Sequence, residues 1–208
     1  MNHVNGLDVS DYQNDVDWAA AHGAGYSFGI SKATEGLGNA QATFPDNLHD
    51  MRAIGMIAGA YHYLHWLDDP RAQAAHFLSV YQPQKGDLPP TLDCEAVPAG
   101  VSPQMCIQQI STFLGAIEPH LFGKRMLLYF SASFPDDHLL GGSSFSGHPI
   151  WVAAYNNDPA PPAFVALPLV KIWQWSDGAN LPAIAGIHGN VDRNRFLGTL
   201  AELRTFCL

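Results

Sequence analysis

Apolar residues in this chain recur as short runs that close on polar side chains. In order they are GLDVS (6–10), YSFGISKATEG (26–36), MIAGAYHYL (56–64), LPPTLDCE (88–95), RMLLYFS (125–131), PIWVAAY (149–155), LVKIWQWS (169–176) and HGNVDRNRF (188–196). Each is short and rich in aliphatic or aromatic residues, which predicts eight strands. Between the early runs the spacing becomes helical. VDWAAAH (16–22) follows Asp15, a candidate N-cap, and residues 45–54 carry Leu48, Met51 and Ile54 before Gly55. Residues 70–81 open on Pro70 and carry Ala74, Phe77, Leu78 and Tyr81. Residues 102–117 open on Ser102 and Pro103 and carry Cys106, Ile110, Phe113, Leu114 and Ile117.

Strand–helix alternation in the first half predicts parallel strands. The second half lacks it. Residues 156–168 hold four prolines, and residues 177–187 are Gly- and Ala-rich with Pro182, so both predict loops or single turns. The expected fold is α/β, an irregular TIM-type β/α barrel of eight strands with an incomplete ring of helices. An open doubly wound sheet is the competitor. No Gly-rich phosphate loop follows the first strand, which weakens any nucleotide-binding reading. With 208 residues and no repeat or linker, the expectation is one catalytic barrel domain over 1–208, without an appended wall-binding module.

In such barrels chemistry sits at the C-terminal ends of the strands. The first strand is expected to end at Asp8, the fourth at Asp93 and Glu95, and the eighth at Asp192. The same rim is expected to carry Lys32, Thr34, Glu35, Tyr61, His62, Tyr129, Tyr155, and Gln174 or Trp175. Residues two apart on a strand share a face, so Asp93 and Glu95 point together, with Cα atoms about 6.5–7 Å apart, while Cys94 points away, against a helix. Two carboxylates in one cleft repel, so one keeps its proton to higher pH, as acid-assisted cleavage of a glycosidic bond requires. An isolated D-x-E is most often a solvated strand end; Asp8 and Asp192 on neighbouring strands bring the catalytic reading level with it. Tyr61, Trp66, Tyr129, Tyr155, Trp173 and Trp175 are candidate sugar-stacking aromatics, although any one large aromatic is more often a core residue. Trp173 and Trp175 share one strand face.

The formal charge of −9 argues against nucleic acid as a partner and against electrostatic capture by an anionic wall. Cys94, Cys106 and Cys207 form no disulfide framework or zinc pattern, and buried free thiols are expected. The ten histidines contain no H-E-x-x-H, so no metal site is expected, and no G-x-S-x-G elbow is present. No apolar run has membrane length, and the N-terminus lacks a signal-peptide pattern.

Taken in order, GLDVS-x-Y-Q, K-A-T-E-G, G-A-Y-H-Y, L-D-C-E, I-W-V-A-x-Y, I-W-Q-W-S and G-N-V-D-x-N-x-F resemble glycoside hydrolase family 25, the Chalaropsis-type lysozymes. The likeness spans about residues 6–198. It implies an irregular β/α barrel and an N-acetylmuramidase that cuts the β-1,4 bond from N-acetylmuramic acid to N-acetylglucosamine in bacterial peptidoglycan. By motif position it implies Glu95 as general acid, Asp93 as its partner, Asp8 and Asp192 as further active-site carboxylates, and Tyr61 as a substrate contact. Tyr129, Tyr155 and Trp175 are expected to join Tyr61 in binding. No metal or organic cofactor is implied. Cys94 departs from the branched apolar residue usual inside the family's D-x-E. A monomer acting at the bacterial cell wall is expected, delivered by phage release, by a non-classical route or after removal of a leader. An inhibitor or immunity partner is left open. The alternative to an enzyme is a non-catalytic glycan-binding module on the same barrel.

Overall fold

The eight apolar runs become strands because each can bury both faces, one inside a ring and one beneath helices. The computed structural model describes residues 2–141, 143–155 and 169–208, so the proline-rich connection expected at 156–168 lies outside the described residues. The strands are β1 (Val4–Val9), β2 (Phe28–Glu35), β3 (Asn39–Ala40), β4 (Ile57–Tyr63), β5 (Thr91–Asp93), β6 (Leu127–Ser131), β7 (Ile150–Ala153), β8 (Val170–Ser176) and β9 (Asp192–Phe196). Their spatial order is β1-β9-β8-β7-β6-β5-β4-β2-β3, and β1 also pairs with β2. That pairing closes a barrel and leaves the short β3 as an antiparallel spur on β2.

From β1 through β8 the barrel neighbours run parallel, but β9 is antiparallel to both β8 and β1. The reason lies in the connection. Residues 177–191 contain no helix to carry the chain back across the barrel, and a return without a crossover is antiparallel. Asp192 therefore opens its strand instead of ending it. The reversal is what brings it to the same rim as Asp8, its register partner.

Helices α1 (Trp18–Gly23), α2 (Phe44–Ala53), α3 (Pro70–Val80) and α4 (Pro103–Ile117) lie where the periodicity predicts them. The cap of α1 is Asp17, not Asp15: its carboxylate accepts from the Ala20 N–H at 2.9 Å. Ser102 caps α4 as expected. Two further helices among the described residues were not predicted, α5 (Phe134–His138) and α6 (Leu200–Phe206). The second carried a readable signal, a capping box between Thr199 and Glu202.

Two apolar layers result. Outward-facing Leu7, Val9, Ala58, Leu92, Cys94 and Phe130 pack beneath Trp18, Met51, Phe77 and Phe113 of the helices. Inside the ring, Phe28, Ile30, Leu127, Trp151, Ile172 and Phe196 pack with Leu203 and Cys207, so α6 and the residue after it plug the barrel end opposite the carboxylates. All three cysteines are buried and free. Gly6 marks the tightest point of the inner layer. A Cβ there would sit 2.2 Å from Cζ of Phe28, whose ring fills the space beside β1. Gly6→Ala is expected to lower stability by about 1–3 kcal/mol through overpacking. Denaturant unfolding measures this, and an unchanged midpoint would mean the ring has room to move.

Candidate active site

At the rim formed by the C-terminal ends of the parallel strands, alternation turns polar side chains inward. They line a cleft of about 400 Å³ whose walls include Asp8, Lys32, Tyr61, Tyr63, Asp93, Glu95 and Asp192, with Ser10, Tyr12 and Gln13 after β1. The four predicted carboxylates thus meet in one cavity.

Asp93 is the last residue of β5, and Glu95 lies just beyond it. Asp93 is buried and Glu95 is accessible. Their carboxyls are hydrogen-bonded to each other. Burial, and then the charge of Glu95, pushes Asp93 well above the usual carboxylate range. Partial desolvation raises Glu95 as well, against the hydrogen bond from Asp93. Two such groups share one proton. In the unliganded cleft the more buried Asp93 holds it and donates to Glu95. Among the described residues no N–H or hydroxyl donates to the buried Asp93 Oδ1.

A second pair faces the first. Asp8 and Asp192 are directly opposite on β1 and β9, and their carboxyls are also hydrogen-bonded. Desolvation raises both, Asp8 to about 6 and Asp192 to about 9, the latter also through the charge of Asp8. The asymmetry has a structural cause. Asp8 Oδ2 accepts from Gln174 Nε2 at 2.9 Å and from Asn194 Nδ2 at 2.6 Å. Both amides are oriented by donors behind them. Gln174 Oε1 accepts from the hydroxyls of Tyr129 at 2.8 Å and Tyr155 at 2.9 Å, and Asn194 Oδ1 accepts from Trp151 Nε1 at 2.8 Å. An indole N–H only donates, so the Asn194 amide nitrogen must point at Asp8. Asp8 is thereby the ionised member and Asp192 the protonated one.

The predicted binding residues divide. Tyr61 lines the cleft. Tyr129 is buried beneath it and acts through Gln174, while Tyr155 is exposed at its edge on the same amide. Trp175 does not belong to the lining: it packs against the outer layer with the Arg195 guanidinium 4.7 Å from its ring centre, on the face of β8 opposite Gln174. Thr34 and His62 are likewise turned outward, Thr34 by the register shift after Lys32. His62 is buried and stacks on Phe113, with Nδ1 2.7 Å from the Thr34 hydroxyl and Nε2 3.1 Å from Gln73 Oε1. Burial depresses it to about 4, which suits a neutral packing residue. Asn194, Trp151 and Tyr63 were missed. Asn194 sits two residues after Asp192, hence on its strand face, and that spacing was the available signal.

Lys32 supplies a cation to the acidic cleft. It pairs with Glu35 and lies 4.8 Å from the Tyr63 ring centre. Glu35 also meets His65 Nε2 at 3.0 Å. Partial burial opposes ionisation of Glu35, but the bonds from Lys32 and His65 hold it below its ordinary value. Among the described residues no three His, Cys, Asp or Glu side chains are grouped to hold a metal ion, and no helix is long and apolar enough to cross a membrane.

The sequence profile of glycosyl hydrolases family 25 matches residues 7–184. The chain belongs to this family. It is 30% identical to Lysozyme M1 of Streptomyces globisporus over 96% of this chain and 70% of that one. It is also 30% identical to the N,O-diacetylmuramidase of a Chalaropsis species over 94% and 99% of the two chains. The crystal structure of a bacterial lysozyme from Streptomyces coelicolor superposes with a TM-score of 0.89 at 28% identity, covering 100% of this chain and 98% of that one. The family-25 chain is therefore a glycoside hydrolase of the lysozyme type on an α/β barrel.

The buried carboxyls of this family-25 enzyme set the sign of its pH dependence. A carboxyl raised in the fold favours folding fully below its unfolded value, and that contribution is lost as pH rises through the folded value. For Asp8 and Asp192 the window runs from the ordinary 3.8 to about 6 and about 9. The thermal midpoint is expected to rise by several degrees between about pH 9 and about pH 5. Asp192→Asn should flatten most of that slope, because an amide donates to Asp8 at every pH. An equal slope in the variant would remove Asp192 from this account.

Proposed function

We propose that the chain is an N-acetylmuramidase. On this reading it hydrolyses the β-1,4 bond from N-acetylmuramic acid to N-acetylglucosamine in bacterial peptidoglycan, with Glu95 as general acid and then general base. The observation that carries the reading is the hydrogen-bonded Asp93–Glu95 pair, one member buried and one accessible in the cleft. The place of action is the bacterial cell wall.

The chemistry follows from one shared proton. Unpaired Asp93 Oδ1 is a ready acceptor for the N–H of the muramyl acetamido group. That bond stabilises the Asp93 anion, while the bound glycan strips water from Glu95, so the proton passes to Glu95. Glu95 gives it to the glycosidic oxygen as the C1–O bond breaks. The acetamido carbonyl oxygen bonds to C1 from the opposite face, forming an oxazolinium whose N–H is held by Asp93. Water then attacks C1, Glu95 takes its proton, the ring opens, and the configuration is retained. Such substrate-assisted routes are known exceptions to the scheme in which a protein carboxylate is the nucleophile. Ionised Asp8 adds negative charge facing the developing oxocarbenium-like centre. Tyr61 and Tyr63 offer ring faces to the sugar.

Glu95→Gln is expected to lower kcat by about 100- to 10,000-fold with the fold intact. Purified peptidoglycan digested by wild type, reduced with borohydride and analysed by mass spectrometry should show new muramitol ends. New glucosaminitol ends would assign the other bond, and near-full activity of Glu95→Gln would remove Glu95 from the chemistry. Inversion at C1, read by NMR on fresh product, would exclude the acetamido route.

A further inference from the structure

Glu95 stands past the last paired residue of β5, where the sheet no longer holds the chain. The flanking ladder ends with Leu64 N–H donating to Asp93 O at 3.0 Å and Cys94 N–H donating to Tyr129 O at 2.9 Å. Beyond it, Ala96 adopts φ +47°, the left-handed region that a side chain with a Cβ disfavours by about 1–2 kcal/mol. Something must hold this turn. Among the described residues one hydrogen bond reaches the Glu95 main chain: Trp66 Nε1–H donates to Glu95 O at 2.6 Å.

We infer that Trp66 is a positioning residue for Glu95, its indole N–H fixing the carbonyl and so the direction in which the acid side chain leaves the strand end. The inference rests on the reading of Glu95 as the acid. Trp66 is suited to this because it is itself immobilised. It is buried in the β4–α3 loop and stacks on Phe134 at 5.9 Å, which stacks on Phe130 of β6 at 5.9 Å. The clamp therefore transmits the rigidity of the outer aromatic layer to an accessible residue. An indole nitrogen has no acceptor role, so the donor cannot be redirected by a change of protonation. Groups facing Glu95 from the surrounding strands are Asp8, Lys32, Glu35, Tyr61, Tyr63, Asp93 and Asp192, and no side-chain bond from them to its backbone is present among the described residues.

The test compares kcat and KM on soluble, uncross-linked peptidoglycan strands for wild type, Trp66→Phe, Trp18→Phe and Glu95→Gln, with thermal unfolding of each. Trp18→Phe removes a buried indole bond of like length, Nε1 to Asn47 Oδ1 at 2.9 Å, beneath α2 and away from the cleft. A misplacement near 1 Å costs about 100-fold in rate, so Trp66→Phe is expected to lower kcat by about 10- to 100-fold with KM within about twofold. Its alkaline limb should move to lower pH, because a released Glu95 regains water and gives up its proton sooner. Trp18→Phe should lose comparable stability and keep both kcat and limb. Benzothienylalanine at position 66, which keeps the ring shape and lacks the donor, should repeat the Trp66→Phe result even if that variant folds poorly. If both position-66 variants keep wild-type kcat and limb while Glu95→Gln is inactive, the positioning role is overturned and the acid assignment stands. If Glu95→Gln is active, both fall together.

Discussion

The structure depends on bringing four carboxyl groups into one cavity with little water to screen them. Like charges at hydrogen-bonding separation in a partly desolvated cleft cannot all be ionised. The barrel meets this constraint by pairing: Asp93 with Glu95 around one proton, Asp8 with Asp192 around another. Each pair then carries about one negative charge, and Lys32 faces them across the cleft. Pairing leaves Glu95, the most accessible of the four, next to the buried carboxyl of Asp93.

The rest of the barrel supports these pairs from behind. On one side, phenols and an indole orient the Gln174 and Asn194 amides, which hold Asp8 ionised. On the other, an aromatic stack carries an indole to the main chain of Glu95. Buried polar networks are stable only when each member is satisfied. Asp93 Oδ1 is one of the buried side-chain atoms left without a hydrogen-bond partner among the described residues. Aromatics that composition alone would assign to sugar binding are divided by strand alternation. Tyr61 faces the cleft, Tyr129 supports from below, and Trp173 and Trp175 serve the outer layer with Arg195.

Much of this was legible in the chain. All eight barrel strands, the first four helices, the inward pairing of Asp93 with Glu95 and the outward burial of Cys94 follow from local periodicity. These features depend on residues two to four apart, and backbone geometry imposes those periods wherever a face is buried. The ordered motifs also pointed to family 25, to which the chain belongs. The same local rule failed where the backbone departs from it. The register shift after Lys32 turned Thr34 outward. His62 obeys the rule, alternating with Tyr61 and Tyr63 and so packing in the core under α3 and α4.

Tertiary structure alone decided the direction of β9, the pairing of Asp8 with Asp192, and which carboxyl of each pair holds the proton. The contacts responsible join residues 166 and 186 positions apart in the chain, Gln174 and Asn194 with Asp8. No local pattern encodes such a contact, because it exists only once the ring closes. Burial and hydrogen-bond geometry, which set the protonation of each carboxyl, are properties of that closed ring and not of any segment within it.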